Sequence, residues 1–478
     1  MDIDYSLSYD DVLLVPSYSE ITAGDTSLKN RLAGNIELNV PVLSAAMDTV
    51  TEESLAIAIA LEGGAGVIHR NLSPKVQAEQ VARVKRYLNW VIDSPVTIRA
   101  DDTVADIRKV MTTNGISGLP VVDDSGRLTG IVTSRDLRFC RDNEKLVRDI
   151  MTAEPVTVTG IPTTDLAQET FDDHKIEKLP VVDAENRLIG LITVKDMEKH
   201  QSFPHAAIDQ QGRLVVGAAV SPMDYRKRIP LLLESRVDFV AIDTAHGDCR
   251  SVLEACADMK ARFDVTVIAG NAATAEGTRR LIEAGADAVK VGVGPGSICT
   301  TRVVAGIGVP QFSAVLTCSE EAGRHNIPII ADGGIKYSGD ITKALGAGAS
   351  SVMIGNLFAG LREAPGKEVI YDGRMFKEYR GMGSIGAIQD GSGDRYQMRQ
   401  SDDPVPEGIE GRVPYKGELR PFLHQLMTGL RKGMAYCGCS TLDELRKYGN
   451  FVRISPAGLK ESHPHDVVIT QEAPNYSR

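Results

Sequence analysis

The sequence is short of three things, and each shortage excludes a class of protein. It has no surplus of basic residues: 53 Lys and Arg stand against 64 Asp and Glu, for a net charge of −11. Phosphate-backbone binding leaves a basic footprint, so general nucleic-acid binding is not expected. Any phosphate bound here is expected to be a small ligand held locally. No apolar run approaches the roughly 20 residues needed to cross a bilayer. The opening MDIDYSLSYDDVLLVP has neither the basic start nor the apolar stretch of a secretory signal. No membrane association and a cytoplasmic location are therefore the expectation. Cysteine is sparse, with seven residues scattered along the chain, which reads as reduced thiols and not as a disulfide framework. Cys437 and Cys439 form a CGC pair, but no second cluster stands near them in sequence to complete a metal site.

What is present is length, glycine and repetition. At 478 residues, with 42% hydrophobic and 24% charged, the chain is globular in composition and too long for one ordinary domain. An internal duplication stands out. PVTIR at 95–99 matches PVTVT at 155–159, and LPVVDDSGRLTGIVTSRD at 119–136 matches LPVVDAENRLIGLITVKD at 179–196. Each copy reads as strand, turn, strand, then a helix opening at Asp136 or Asp196. This paired module is placed at 92–202, with copies at about 92–150 and 151–202.

Outside it lie eight short apolar runs, each followed by a helical pattern: 40–47, 64–70, 214–220, 239–246, 265–274, 288–294, 327–334 and 351–358. Continuous apolar strands alternating with helices call for a parallel sheet buried on both faces. Eight units favour a closed (β/α)8 TIM barrel, an α/β fold, over an open doubly wound sheet. The barrel would then be built from 1–91 and 203–478, with the module inserted between its second helix and third strand. Most runs end in polar residues or glycine, such as His69, Asp243, Asn271, Asp332 and Asn356. In a barrel those ends converge on the face that carries the active site.

The run GVGPGSICTTR, 292–302, places Cys299 among glycines that cannot pack a core. With Asp332-Gly333-Gly334 and the turn at Gly355, its backbone amides suit a phosphate, and Asp332 suits sugar hydroxyls. A nucleotide or sugar phosphate is the expected ligand. Ser297 stands where a dinucleotide fingerprint needs its third glycine, so that motif is not met. Cys299 is then a nucleophile at the barrel mouth, whereas Cys140, Cys249, Cys256 and Cys318 fall in or beside helical patterns and read as structural. The segment from 359 to about 420 shows little periodicity and reads as a lid or functional loop.

The stretches DDVLLVP, SAAMDTVTE, GVIHRN, DTAHG, GPGSICTTR, ADGGIKYSGD, EYRGMGSIGA, DRYQ, VPEGIEGRVPYKG and ESHPHDV occur in this order across nearly the whole chain. Together they resemble the signatures of the inosine-5'-monophosphate (IMP) dehydrogenase family, and 92–202 resembles its tandem CBS domains. The resemblance implies NAD-dependent oxidation of IMP to xanthosine monophosphate (XMP), in guanine nucleotide synthesis, through a covalent Cys299 adduct. A flap at about 385–415 would carry an Arg395–Tyr396 dyad for hydrolysis, with Thr301 holding the water. The resemblance assigns Ser297, Gly334, Gly355, Asn356 and Tyr379 to the phosphate region, Asp332 to the ribose, and Met382, Gly383 and Glu407 to the base, with Gly333 and Gly381 also in the substrate site; Asp243, Asn271, Gly292 and Gly294 fall to NAD. Potassium would be held by Gly294, Gly296 and Cys299, with Glu461, Ser462 and His463 from a neighbouring subunit of a homotetramer or of an octamer of paired tetramers. Thr133, Asp136, Thr193 and Asp196 would bind adenine or guanine nucleotides. The chain departs from the family pattern at Asn356, Leu361 and Ile388. GMP reductase and a catalytically inactive nucleotide sensor are the alternatives.

Overall fold

The structure is a computed structural model that describes residues 5–396, 405–471, 473, 475 and 476. Residues 397–404, inside the expected flap, lie outside the described residues. The chain divides into two compact units, Met1–Tyr87 with His205–Arg478, and Leu88–Pro204.

The first unit is built on eight parallel strands: β1 Val42–Ser44, β2 Ala65–Ile68, β3 Val216–Val220, β4 Phe239–Ile242, β5 Thr266–Ala272, β6 Ala288–Val291, β7 Ile329–Asp332 and β8 Ser351–Ile354. They close in the order β3-β4-β5-β6-β7-β8-β1-β2, and each is one of the eight apolar runs. Helices follow the strands, from Glu53–Leu61 after β1 to Ser338–Gly346 after β7. The barrel interior is filled by Leu43, Val67, Phe239, Ile268, Ile330 and Met353, among others. Phe239, fully buried, contributes about 2–3 kcal/mol by the usual apolar transfer scale. Its ring lies over Gly217 on the neighbouring strand, where a Cβ would stand 2.2 Å from a ring carbon, so only glycine fits there.

A hairpin of Asn30–Ala33 and Ile36–Leu38 plugs the end of the barrel opposite the site. Leu32, Ala33 and Leu38 join the core, and Asn30 Nδ2 donates to Ser350 O at 3.0 Å and Ser351 Oγ at 2.7 Å. Nothing in the sequence reading anticipated this plug.

The segment after β8 is more ordered than its weak periodicity suggests. It contains an antiparallel sheet of β9 Glu368–Tyr371, β10 Arg374–Arg380 and β11 Glu410–Pro414. Tyr371 pairs with Arg374 across Asp372-Gly373, and both turn residues have positive φ, 49° and 69°. Asp-Gly is the preferred filling of such a two-residue hairpin turn.

In the second unit the duplication is visible as structure. Helix Val104–Asn114, strands Gly118–Val122 and Leu128–Thr133, and helix Ser134–Arg138 recur as Thr164–His174, Lys178–Val182, Leu188–Thr193 and Val194–Gln201. The last helix of each copy opens two residues earlier than expected. Thr133 and Thr193 take the N-cap positions, and Asp136 and Asp196 sit at the third helical residue. The unit begins at Leu88 because Trp90 and Val91 are buried in the core of the second copy with Phe171, Leu179 and Ile192. No helix among the described residues is long and apolar enough to cross a membrane.

Candidate active site

The strand ends meet at two cavities that share Met47, Pro295, Gly296, Asp332, Gly333 and Tyr379 as walls. The larger, about 280 Å³, is bounded by Ser297, Gly334, Gly355 and Asn356. The smaller, about 120 Å³, holds Cys299, Thr301, Gly381, Met382, Arg395, Tyr396 and Glu407, with Asn271, Gly292 and Gly294 along one side. Most of the expected substrate and catalytic residues therefore converge; Gly383 sits just behind, under Tyr396.

Between the cavities stands a buried charge cluster. Lys290, in the middle of β6 and 3% exposed, donates to Asp332 Oδ2 at 2.6 Å and also to Asn271 Oδ1. Asn271 Nδ2 donates to the same Asp332 oxygen at 3.0 Å and to Gly292 O at 2.6 Å. Burial alone would raise the Asp332 carboxyl. The Lys290 ammonium, the hydrogen bonds from Lys290 and Asn271, and the Arg395 charge outweigh it and hold Asp332 below the ordinary carboxylate range. Gln311 Nε2 ties the strand ends together by donating to Val291 O at 2.9 Å and Asp332 O at 3.2 Å. Sequence reasoning missed both Lys290 and Gln311. A lysine inside the apolar run AVKV was the available signal, since a buried lysine needs a partner.

The cysteine loop is pinned despite its glycines. Cys299 pairs with Gly408 as an isolated bridge. Thr300 N donates to Glu407 O at 3.0 Å and Ile409 N to Ile298 O at 3.0 Å. This backbone seam brings side chains together: Cys299 Sγ lies 3.1 Å from Thr301 Oγ1, and Thr301 Oγ1 donates to Glu407 Oε2 at 2.6 Å. A hydroxyl between a thiol and a carboxylate is a proton path. In the larger cavity Asn356 Nδ2 donates to Ser297 Oγ at 2.9 Å. Tyr379, whose hydroxyl burial raises to about 12, closes over Gly355, where a Cβ would stand 3.2 Å from its oxygen.

The turn Gly393–Tyr396 completes the smaller cavity. Arg395 forms an ion pair with Asp243 at the end of β4, and Ala245 N donates to Arg395 O at 3.1 Å. Burial would lower the Arg395 pKa, but Asp243, Tyr396, Asp332 and Cys299 together hold it above its ordinary value. Tyr396 is pushed up to about 12, mainly by burial and against the pull of Arg395. Its ring lies over Gly383, where a Cβ would stand 2.6 Å from the ring.

Among the described residues, no hydrogen bond or ring contact joins the two groups expected to share a potassium ion, the 294–299 turn and the 461–463 segment. Gly296 O accepts from Cys299 N at 3.1 Å. Ser462 Oγ donates to Gly458 O within its own helix, and His463 lies against Tyr337 and Tyr476. In the paired module Thr133 Oγ1 donates to Asp136 at 2.8 Å and Thr193 Oγ1 to Asp196 at 2.6 Å, so each pair caps its helix.

Residues 6–465 match the IMP dehydrogenase / GMP reductase domain. The chain is 56% identical to an inosine-5'-monophosphate dehydrogenase of Halalkalibacterium halodurans, with 98% of each covered. It is 54% identical to that of Aquifex aeolicus, over 99% of this chain and 98% of the relative. A crystal structure of a GMP reductase from Trypanosoma brucei in complex with guanosine 5'-monophosphate superposes with a TM-score of 0.84 at 38% identity, covering 98% of this chain and 99% of that one. That match spans the region of the paired module, so overall architecture does not separate the two activities. With a domain match over nearly its whole length and relatives at this identity, the chain belongs to the IMP dehydrogenase / GMP reductase family.

Proposed function

We propose that the chain is an NAD-dependent IMP dehydrogenase, producing XMP and NADH through a covalent intermediate on Cys299. The observation that carries this reading is the full-length identity to IMP dehydrogenases, 56% and 54% in the two relatives above, well over the 38% to the GMP reductase. The meeting of Cys299, Thr301, Glu407 and the Arg395–Tyr396 turn in one cavity supports it.

In this reading IMP lies with its phosphate among Ser297, Gly333, Gly334, Gly355, Asn356 and Tyr379 and its ribose on Asp332. Its base reaches Gly381, Met382, Gly383 and Glu407. The Cys299 thiolate adds to C2 of the hypoxanthine, and the C2 hydride leaves with its electron pair to NAD. NAD would occupy the side walled by Asp243, Asn271, Gly292 and Gly294. Since Arg395 is bonded to Asp243 here, the flap turn and NAD compete for one place, which orders the reaction: hydride transfer with the turn away, hydrolysis with it seated. Water then adds to C2, its proton passes to a base, and the C2–Sγ bond breaks with its pair on sulfur, which is reprotonated. Arg395 is held above its ordinary pKa by its neighbours, which makes it a poor base in this arrangement. The Thr301–Glu407 hydrogen bond is the better supported proton path, with Arg395 stabilising charge beside it.

Potassium fits the site in one respect: carbonyl oxygens of a glycine turn are suitable hard ligands. Bound there by Gly294, Gly296 and Cys299, and by the 461–463 segment of a second subunit in a homotetramer or an octamer of paired tetramers, it would hold the cysteine loop in shape. The paired module at 92–202 is proposed as a CBS pair that binds adenine or guanine nucleotides through Thr133, Asp136, Thr193 and Asp196. Calorimetry with ATP and GTP tests that, and absence of heat with both would remove it.

Assaying the purified protein with IMP and NAD, and in parallel with GMP and NADPH, decides the activity. NADH formation in the first pair is expected; turnover only in the second would make the chain a GMP reductase, and none in either would favour the inactive sensor.

A further inference from the structure

Beside Arg395 sits a carboxylate that the reading above does not use. Asp394 is about a quarter exposed, and its two oxygens meet two different strand ends. One pairs with the Arg70 guanidinium just beyond β2. The other accepts from Ser221 Oγ, just beyond β3, at 2.6 Å. Arg395 itself reaches Asp243 beyond β4. Two consecutive side chains of one short turn thus grip three neighbouring strands of the barrel.

The barrel side of this grip is built independently of the turn. Arg70 O accepts from Arg228 Nη2 at 3.0 Å, and Arg228 Nη1 donates to Gln77 Oε1 at 3.0 Å. Gln77 Nε2 in turn donates to Ile68 O, His69 O and Ala219 O at 2.9 to 3.2 Å. Ser221 is 1% exposed and fixed by its backbone N–H on Asp224 Oδ1 at 2.9 Å. The Arg70 side chain is 4% exposed, yet Asp394 is its ion-pair partner among the described residues, and its Nε has no hydrogen-bond acceptor. A buried guanidinium with so little else to satisfy it strongly favours the carboxylate that seats there.

We propose that Asp394 is a positioning residue for the hydrolytic half of the reaction, seating between Arg70 and Ser221 so that Arg395 and Tyr396 are held beside Cys299. Asp394 does not line the cavity that holds the thiol, so it acts through its neighbours. It has no part in hydride transfer, which takes place with the turn away. This rests on the dehydrogenase reading above. The step affected is the one in which water oxygen replaces Sγ on C2, with the C–S electron pair returning to sulfur and one proton leaving the water.

The test is rapid mixing of Asp394→Asn with IMP and NAD, following NADH and trapping the protein-bound adduct by acid quench. The first-turnover NADH burst should keep its wild-type rate. The steady-state rate should fall roughly 10- to 100-fold, the scale of a misplaced catalytic group, and most of the enzyme should accumulate as adduct. Ser221→Ala should shift the same ratio less, and Asp394→Glu should restore part of it. An unchanged steady-state rate and adduct fraction would overturn the proposal. So would equal slowing of burst and steady state, because that marks a general structural role. Failure of the wild-type protein to form NADH from IMP and NAD would instead sink the dehydrogenase reading itself.

Discussion

The two halves of the site are held by different kinds of structure. The half proposed for phosphate and ribose rests on strand ends and backbone: Asp332, Asn271 and Lys290 are packed into the barrel wall, and Gln311 ties two strand ends together. The half proposed for hydrolysis rests on side-chain pairs reaching across from a turn, Arg395 to Asp243 and Asp394 to Arg70. The first cannot leave without breaking the core. In the proposed reaction the second detaches by parting these ion pairs, freeing the side assigned to NAD. The proposed two-step reaction needs this contrast, because its substrate must stay while the environment around Cys299 changes.

The largest effect tests what both halves serve. Replacing Cys299 by Ala should lower NADH formation at least 1,000-fold, on the order seen when other enzymes lose a nucleophile, with IMP binding retained in calorimetry. Residual turnover within tenfold of wild type would mean the cavity is organised around something other than the thiol.

Lys290→Met should come next, and it attacks the rigid half. It leaves the partly buried Asp332 carboxylate without its main partner, a change on the order of 3 kcal/mol. Asp332 is held below the ordinary carboxylate range in the intact protein. Its pairing therefore contributes stability at neutral pH and loses it as pH falls through the folded-state value. In the variant, burial prevails and the carboxyl rises. Urea unfolding should show the gap between the two proteins widest at neutral pH and narrowing on acidification. A constant gap would mean that Lys290 acts by packing alone.

Gly383→Ala breaks the detachable half. The added Cβ would displace the Tyr396 ring, so steady-state turnover should drop roughly tenfold, by more than the first-turnover burst, while thermal stability stays near wild type. A loss of stability comparable to that of Lys290→Met would show that the turn is part of the core after all.

The same contrast explains what could be read in advance. The eight barrel strands were legible because a strand buried on both faces must be a continuous apolar run, and each such run became a strand. Cys299, Asp332 and the glycine turns were legible because they lie close together in sequence around strand ends. The hairpin β9–β10 was not, although Asp372-Gly373 announced its turn, because β9 is largely exposed and carries no apolar alternation. The seam between Cys299 and Gly408, and the Arg70–Asp394 pair 324 residues apart, have no local signature at all. They are made by long-range pairing, and only the fold brings their partners together.

The smallest effect examines the larger cavity at Asn356, one of the three positions read from the sequence as departures from the family pattern. Asn356 Nδ2 donates to Ser297 Oγ, which leaves the second amide N–H of Asn356 for a phosphate oxygen. Asn356→Ala removes that donor and the support of Ser297, so KM for IMP should rise about fivefold, the worth of one hydrogen bond, with kcat unchanged. Asn356→Ser keeps a donor and should fall between the two. Because this half only anchors, its loss belongs in KM; a fall in kcat at constant KM would mean that the phosphate grip also shapes the transition state, and the division of labour between the halves would have to be redrawn.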